Sequence, residues 1–283
     1  MNGSSHQRWQ PTEFRRFDES IPSSMCPARI ITDVGPAYLK AIGNPQGPHQ
    51  LACEYVGTQL AEWFGLPTFD YALMTVDARE DEIPLGDGKF AQSGPAFVTR
   101  AATGHPWGKS SEELDALINP ESITHLVVFD TWTLNCDRYP PELTKREPKY
   151  DNVFLEKVGE RGKKAFRLVA IDQGCCFSGG RDLSPKIANI DQITDSQLYG
   201  MFPAFVERVA EDHARNAIAR LGELREDTVE EIVGRVPSEW DVNAKLRKAL
   251  RDLIVQRAAF VAANILSLLG RVCWPGQLFD NNP

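Results

Sequence analysis

Residues 129–155 read FDTWTLNCDRYPPELTKREPKYDNVFL, and the fold turns on how this stretch is parsed. A helix-like apolar run ends in Asp137-Arg138, and Asp151-Asn152 opens a strand-like run. Between them lies a polar segment punctuated by prolines and without periodicity. It is either one catalytic loop stretched by an insertion or two unrelated pieces of surface.

Downstream, DNVFLEKV and AFRLVAID read as two strands joined by the charged turn GERGKK. A hairpin centred on Gly162 sets Asn152 opposite Asp172, at the end far from the turn. A slip of one residue in register would still leave them neighbours. Two hard oxygen donors side by side suit Mg²⁺; the plainer alternative is that both residues simply terminate strands. Asp137 follows a buried-looking helix and can reach the same end of the hairpin. An Asp followed by Arg can position a hydroxyl and accept its proton. An exposed ion pair at a helix end is the competing reading.

Upstream, Asn119-Pro120-Glu121 reads as a helix start, with a capping Asn, Pro in the first turn and an acid at the positive dipole end. ARIITDVGPAYLKA predicts a strand pair around an Asp33–Pro36 turn, its second strand ending at Lys40. HQLACEYVGTQLAEWFGLP has the stripe of an amphipathic helix stopped by Gly65 and Pro67. DYALMTVDA and SGPAFVTRA read as further strands, EDEIPLGDGK as a loop, and the chain beyond about Ser196 as helical. A Lys held by a helical Glu can contact nucleotide phosphates, which singles out Lys40 and Glu54. Each is also a common kind of surface residue. The order Lys40, Glu54, Asp137, Asn152, Asp172 follows the order of the phosphate lysine, orienting Glu, base and metal ligands in protein kinases.

The predicted organisation is an irregular arm over residues 1–27, a small β-rich lobe over 28–102 and a larger, mainly helical lobe over 103–283. The chain has 283 residues, 42% hydrophobic and 25% charged, enough for substantial cores and unlike a disordered protein. A formal charge of −8 argues against a broad nucleic-acid-binding face. The six cysteines form no CxxC, so neither a zinc site nor a disulfide framework is indicated. There is no signal-peptide core, and AAFVAANILSLLG is too short to span a bilayer, so a cytoplasmic protein with no membrane contact is expected.

FDTWTLNCDR, DNVFL and LVAIDQGCCF together resemble the HipA-like kinases and, more distantly, the phosphatidylinositol 3/4-kinases. These families carry Asn-x-Asp-Arg, a nearby metal-binding Asn, and Ile-Asp-x-Gly in place of Asp-Phe-Gly. ACEYVGTQLAEWFGLP resembles the family's Glu-bearing helix, and VPSEW a feature of its helical lobe; the likeness runs over roughly residues 28–245. It implies an α+β, two-lobed protein-kinase-like (HipA-like) fold and an ATP- and Mg²⁺-dependent transfer of the γ-phosphate to a Ser or Thr hydroxyl, with a protein as substrate. Carried over, Lys40 is the phosphate lysine, Glu54 its partner, Asp137 the catalytic Asp, and Asn152 and Asp172 the metal ligands. Ser23 and Ser24 fall at the phosphate-covering loop, and Phe97, Val98 and Thr99 would give backbone contacts to adenine. A lipid or small-molecule kinase and a nucleotide-binding pseudokinase are the alternatives. A HipB-like antitoxin is a partner that the family offers and the residues do not support.

The sequence departs from the family's pattern in three ways. Tyr139 stands where many relatives have His. Asp137 and Asn152 are fifteen positions apart, not five, through an insertion of ten over residues 140–149. The chain begins close to the nucleotide lobe, without the N-terminal subdomain of full HipA toxins. The insertion's Lys145, Arg146 and Lys149 could dock an acidic or phosphorylated substrate, or be a solvated loop. Ser178 and Ser184 are candidate self-phosphorylation sites or plain loop residues.

Overall fold

The computed structural model describes residues 9–144, 146–159, 164–177 and 181–276. Gly162, Lys145 and Ser178, on which parts of the sequence reading fall, lie outside them. The chain divides into two compact units, the first made of residues up to Leu51, Phe69–Ala102 and Pro237–Asp241.

The first unit is built on strands β1 (Phe14–Ser20), β2 (Ala28–Thr32), β3 (Gly35–Lys40), β4 (Tyr71–Val76), β5 (Pro84–Gly86), β6 (Lys89–Phe90) and β7 (Gly94–Arg100). Five of them form an antiparallel sheet in the order β1-β2-β3-β7-β4, and β5 and β6 make a short hairpin within the stretch expected to be a loop. Thr32 pairs with Gly35 across the two-residue turn Asp33-Val34. Alternate residues of β2 and β3, among them Ile30, Ala37 and Leu39, enter a core with Met74, Leu85 and Val98. Within VPSEW, residues 237–240 belong to this unit and not to the helical one, and Trp240 is buried with its indole Nε1 donating to Pro95 O at 3.0 Å.

The expected irregular arm over 1–27 is corrected by β1. Register shifts between Phe14 and Arg16 and between Phe17 and Glu19 break the two-residue alternation. The apolar residues Phe14 and Phe17 therefore recur at three, a spacing that hides a strand from pattern reading.

Helix α1 (Pro48–Phe64) begins in the first unit and continues into the second, ending at Gly65, whose φ of 91° suits glycine. The second unit adds β8 (Gly104–Pro106), α2 (Ser111–Asp115), α3 (Glu121–Thr133), β9 (Val153–Lys157), β10 (Phe166–Ala170), α4 (Ile190–Ile193), α5 (Glu211–Gly222), α6 (Glu226–Gly234) and α7 (Ala244–Cys273). The strands form a sheet in the order β10-β9-β8.

α3 is buried on almost every side, consistent with its unbroken apolar text. Its predicted Asn cap is corrected. Pro120 occupies the cap position, and Asn119 clamps β10 instead, accepting from Leu168 N at 2.9 Å and donating to Leu168 O at 3.1 Å. The far end of α3 is held by α7. Arg257, fully buried, donates to Trp132 O at 3.0 Å, to Thr131 O, and to Gln192 O, Ile193 O and Asp195 O. One guanidinium thus satisfies carbonyls that a helix terminus leaves open. Burial lowers its pKa to about 10, so it stays charged at neutral pH.

The apolar stretch judged too short for a bilayer is part of the 30-residue α7, which by length and composition alone could cross one. Leu250, Leu253, Ile254, Val261, Ile265 and Leu269 of this helix are buried within the unit. With Arg257 among them, this is the pattern of a core helix.

Candidate active site

The C-terminal turn of α3 sets up the site. Leu134 takes the left-handed conformation at φ 55°, and the Leu134 and Asn135 N–H groups both return to Asp130 O. Asn135 then accepts the Asp137 N–H at 3.2 Å and donates to Gln173 Oε1 at 3.4 Å. This fixes the Asp137 backbone against the segment that follows β10.

From there the chain leaves into residues 140–149 and comes back. Lys149 N–H donates to Asp137 O at 3.2 Å and to Arg138 O at 2.9 Å, closing the neck of the insertion. A short 3-10 turn, Tyr150–Asn152, leads into β9. Asn152 Nδ2 consequently donates to Asp137 Oδ2 at 3.0 Å. The opening stretch is one loop with an insert, and a long insert costs little closure entropy because the cost grows only logarithmically.

The hairpin register differs by one residue from a turn centred on Gly162. Val153 pairs with Ala170 and Lys157 with Phe166, so Asn152 falls opposite Ile171, whose N–H donates to Asn152 O at 3.3 Å. Asp172 comes one residue later, in the left-handed region at φ 61°. Asp is among the few residues that tolerate this conformation. Such a kink at a chemically loaded position is a common mark of function. Asp172 lies near enough for its charge to act on Asp137. Burial, then the charge of Asp172, push the Asp137 carboxyl above the ordinary range, against the opposing pull of Arg146 and the Asn152 hydrogen bond.

Two further arginines frame the pair. Arg138 is completely buried and donates to Asp130 Oδ1 at 2.6 Å, Asn152 O at 3.2 Å, Ile171 O at 3.0 Å and Gln173 Oε1 at 3.2 Å. It is therefore a scaffold that ties α3 to the residues flanking Asn152 and Asp172, and not an exposed ion-pair partner of Asp137. Arg146, from the insertion, turns inward. Its Nη1 lies 3.3 Å from Asp137 Oδ1, 3.3 Å from Cys136 Sγ and 3.4 Å from Cys175 Sγ. Arg146 is thus engaged at the site, which takes it out of the docking trio, whereas Lys149 is exposed and Lys145 lies outside the described residues.

Close packing supports the scaffold. A Cβ on Gly200 (φ 71°) would meet Asp130 Oδ2 at 2.3 Å, and one on Gly57 of α1 would meet Gln173 Cβ at 2.6 Å. Gly200 N–H also donates to Tyr139 O at 2.9 Å. The Tyr139 ring packs edge-on against Phe202 at 5.1 Å, which gives the residue in the family's His position an aromatic seat.

Burial raises the Asp130 carboxyl to about 6 against the opposing charge of Arg138. A carboxyl raised in the folded state favours folding below its unfolded pKa, and that contribution is lost as pH rises through the folded value. Between pH about 4 and about 6, the wild type is thus expected to lose more stability than Asp130→Asn, in which residue 130 cannot titrate. Urea midpoints of both proteins across that range test this. Equal pH slopes would contradict the assignment.

The remaining predicted residues are placed as follows. Lys40 ends β3 opposite Phe97 in the first unit, and Glu54 is buried on the part of α1 that belongs to the second. Ser23 and Ser24 are exposed in the turn between β1 and β2, where Ser23 O accepts the Cys26 N–H at 3.1 Å. Phe97, Val98 and Thr99 are paired with β3 on one side and β4 on the other. Ladders on both sides use up the backbone groups of an interior strand, so these residues offer no open edge for adenine contacts. Ser184 lies in a turn, its hydroxyl accepting the Lys186 N–H at 3.3 Å.

As for Mg²⁺, the donor set fits. Asn152 spends its amide nitrogen on Asp137, which leaves Oδ1 as its acceptor atom. Asp172 adds a carboxylate, and the two neighbouring acids carry a charge excess that a hard cation relieves.

The HipA-like kinase family model matches residues 37–267, most of the chain. The chain belongs to the HipA-like kinase family. Among solved structures it is similar to the Helicobacter pylori proinflammatory kinase CtkA, at 12% identity and a TM-score of 0.57, over 90% of this chain and 96% of that one. At that identity the likeness is one of fold. No curated protein matches the chain. In this HipA-like kinase, sequence reasoning gave Gln173 no role, named Asn135 only as part of Asn-x-Asp-Arg, and assigned Arg146 to docking, not to the site. Gln173 could have been found from its place inside Ile-Asp-x-Gly, whereas nothing in the text of the insertion marks Arg146 as inward-facing.

Proposed function

We propose that this HipA-like kinase has a two-lobed kinase fold and transfers the γ-phosphoryl group of ATP, with Mg²⁺, to a Ser or Thr hydroxyl of a protein. The observation that carries this reading is the Asn152–Asp137 hydrogen bond at 3.0 Å with the charge of Asp172 acting on Asp137. An acceptor for the hydroxyl proton is thereby held beside two metal-type donors.

In this mechanism Asp137 orients the substrate hydroxyl and takes its proton as the oxygen bonds to the γ-phosphorus and the bond to the β-phosphate oxygen breaks. The burial and neighbouring charge that raise its proton affinity make it the stronger base. Asn152 through Oδ1 and Asp172 through its carboxylate would hold Mg²⁺, which when bound neutralises phosphate charge. Asn135 and Arg138 keep these groups in place through the bonds to Asp137 N, Asn152 O and Ile171 O. Lys40 contacts the nucleotide phosphates, the role its family position implies. The six cysteines are free thiols, which fits a reducing cytoplasm as the place of action.

Incubating the chain with γ-labelled ATP and Mg²⁺, then separating protein, lipid and soluble products, tests the proposal. Label on protein Ser or Thr is the expected result. Label on a lipid or small alcohol would replace the substrate class, and absence of both transfer and ATP turnover would overturn the kinase reading.

A further inference from the structure

Two of the cysteines stand at the site itself. Cys136 directly precedes Asp137, and Cys175 follows Asp172 by three residues. The two thiols lie close enough for each to shift the other's proton affinity. One guanidinium nitrogen, Arg146 Nη1, reaches both sulfurs, at 3.3 Å for Cys136 and 3.4 Å for Cys175. Both residues are partly exposed, as is Cys273 at the end of α7, whereas Cys26, Cys53 and Cys176 are buried. Two partly exposed thiols gathered around one cation are the environment of reactive cysteines, in contrast to inert structural ones.

We propose that Cys136 and Cys175 are a reversible disulfide site, oxidised by a hydroperoxide and reduced by a dithiol. The two thiols have different roles. Arg146 Nη1 stands 3.3 Å from Cys136 Sγ, where its charge favours a thiolate. The neighbouring Cys175 and that charge lower the Cys136 thiol, while Cys136 and burial raise Cys175. Cys136 is thus the thiolate that attacks. Its sulfur bonds to one peroxide oxygen, the O–O bond breaks, and the departing hydroxide takes a proton to become water. Cys175 sulfur then attacks the resulting Cys136 sulfenic acid. The S–S bond forms, the S–O bond breaks, and the leaving hydroxide takes the Cys175 proton. Two thiols lose two electrons in total, and one hydroperoxide is reduced; with hydrogen peroxide the products are two waters. A dithiol returns the pair by thiol–disulfide exchange.

The bond ties the segment bearing Asp137 to the segment bearing Asp172. It also removes the thiolate that Arg146 faces, so Arg146 bears more strongly on Asp137. Loss of turnover on oxidation is the consequence, and that part rests on the kinase reading; formation of the disulfide does not.

The test treats the reduced full-length chain with graded hydrogen peroxide, blocks remaining thiols with N-ethylmaleimide under denaturing conditions and maps peptides by mass spectrometry. The expected product is a Cys136–Cys175 linked peptide that dithiothreitol reverses, with Cys26, Cys53 and Cys176 recovered as alkylated thiols. In Cys175→Ser, and in Cys175→Ala should the first variant misfold, Cys136 should stop at sulfenic acid, trapped by dimedone. Recovery of Cys136 and Cys175 as alkylated thiols, at peroxide doses that oxidise a free model dithiol, would overturn the proposal. ATP turnover in the same samples should fall by about 10²-fold, the cost of displacing a catalytic group by about an ångström, and return with dithiothreitol. Unchanged turnover in the cross-linked chain would overturn the coupling. A linked peptide in a chain that never turns over ATP would uphold the thiol pair and overturn the kinase reading.

Discussion

Asp137→Asn and Asp172→Asn each lower phosphoryl transfer by about 10²- to 10⁴-fold, the usual worth of a positioned base or a comparable charged group. Both leave the fold intact. Asn is the right replacement at both positions for local reasons. Residue 172 sits at φ 61°, which Asn tolerates, whereas Ala would add a backbone cost of roughly 1–2 kcal/mol and confuse stability with chemistry. At residue 137 an amide oxygen can still accept from Asn152 Nδ2, so the loop keeps its hydrogen bond. The informative part is the sign of the stability change. Asp137 is held in a partly buried position beside the charge of Asp172, and both effects raise its carboxyl. Removing either charge relieves that repulsion, so the melting temperature of each variant should equal or exceed that of the wild type. Activity and stability then move in opposite directions, as expected where a site stores unfavourable electrostatics for use in catalysis. If turnover and melting temperature fell together, these acids would be structural, and if turnover were unchanged the proposed chemistry would be wrong.

Which features were legible in the sequence follows from the physics of each. The hairpin strands were readable from their apolar runs and α3 from its unbroken apolar text. α1 was readable from its apolar spacing and its Gly65 stop, although it is buried all round over residues 50–61 and has no exposed face there. The insertion was readable as a break in a motif, and closure of its neck by Lys149 N–H explains why Asp137 and Asn152 meet across it. The hairpin register lies one residue from the centred pairing, within the slip that the sequence reading allowed, because a turn's centre does not fix pairing when the charged residues around it are interchangeable. β1 was hidden because bulges replace its alternation with a spacing of three. Asn119 shows a different limit: its side chain suits a helix cap, but the two-point clamp on Leu168 is a long-range contact that no local pattern encodes. The same holds for Arg146, whose inward turn depends on the path of the insert. The adenine contacts assigned to Phe97, Val98 and Thr99 failed on topology, since the order β3-β7-β4 puts that strand inside the sheet.

Arg138→Ala should destabilise the protein by about 3–5 kcal/mol, because it leaves a buried carboxylate without its cation. Against a typical total of roughly 5–15 kcal/mol, that can unfold the chain at physiological temperature. Composition reading treats an Arg after Asp as a surface charge, yet Arg138 and Asp130 are both fully buried. Asp130 Oδ2 already lacks a hydrogen-bond partner, and Arg138→Ala would also take away the bond that Oδ1 accepts. The same substitution strips donors from Asn152 O, Ile171 O and Gln173 Oε1. Lys cannot replace it, since one ammonium on a flexible stem does not span acceptors on three segments. Arg138→Met combined with Asp130→Leu separates the causes. Replacing a buried ion pair by apolar groups is often neutral or stabilising, so the double variant should regain much of the lost stability. It should not regain activity, because Asn152 O, Ile171 O and Gln173 Oε1 then lose the one side chain that ties all three to α3. Urea unfolding and ATP turnover, measured on both variants, decide the matter. Joint recovery would make Arg138 a purely structural residue, and recovery of stability alone would show that it positions the two metal-type donors.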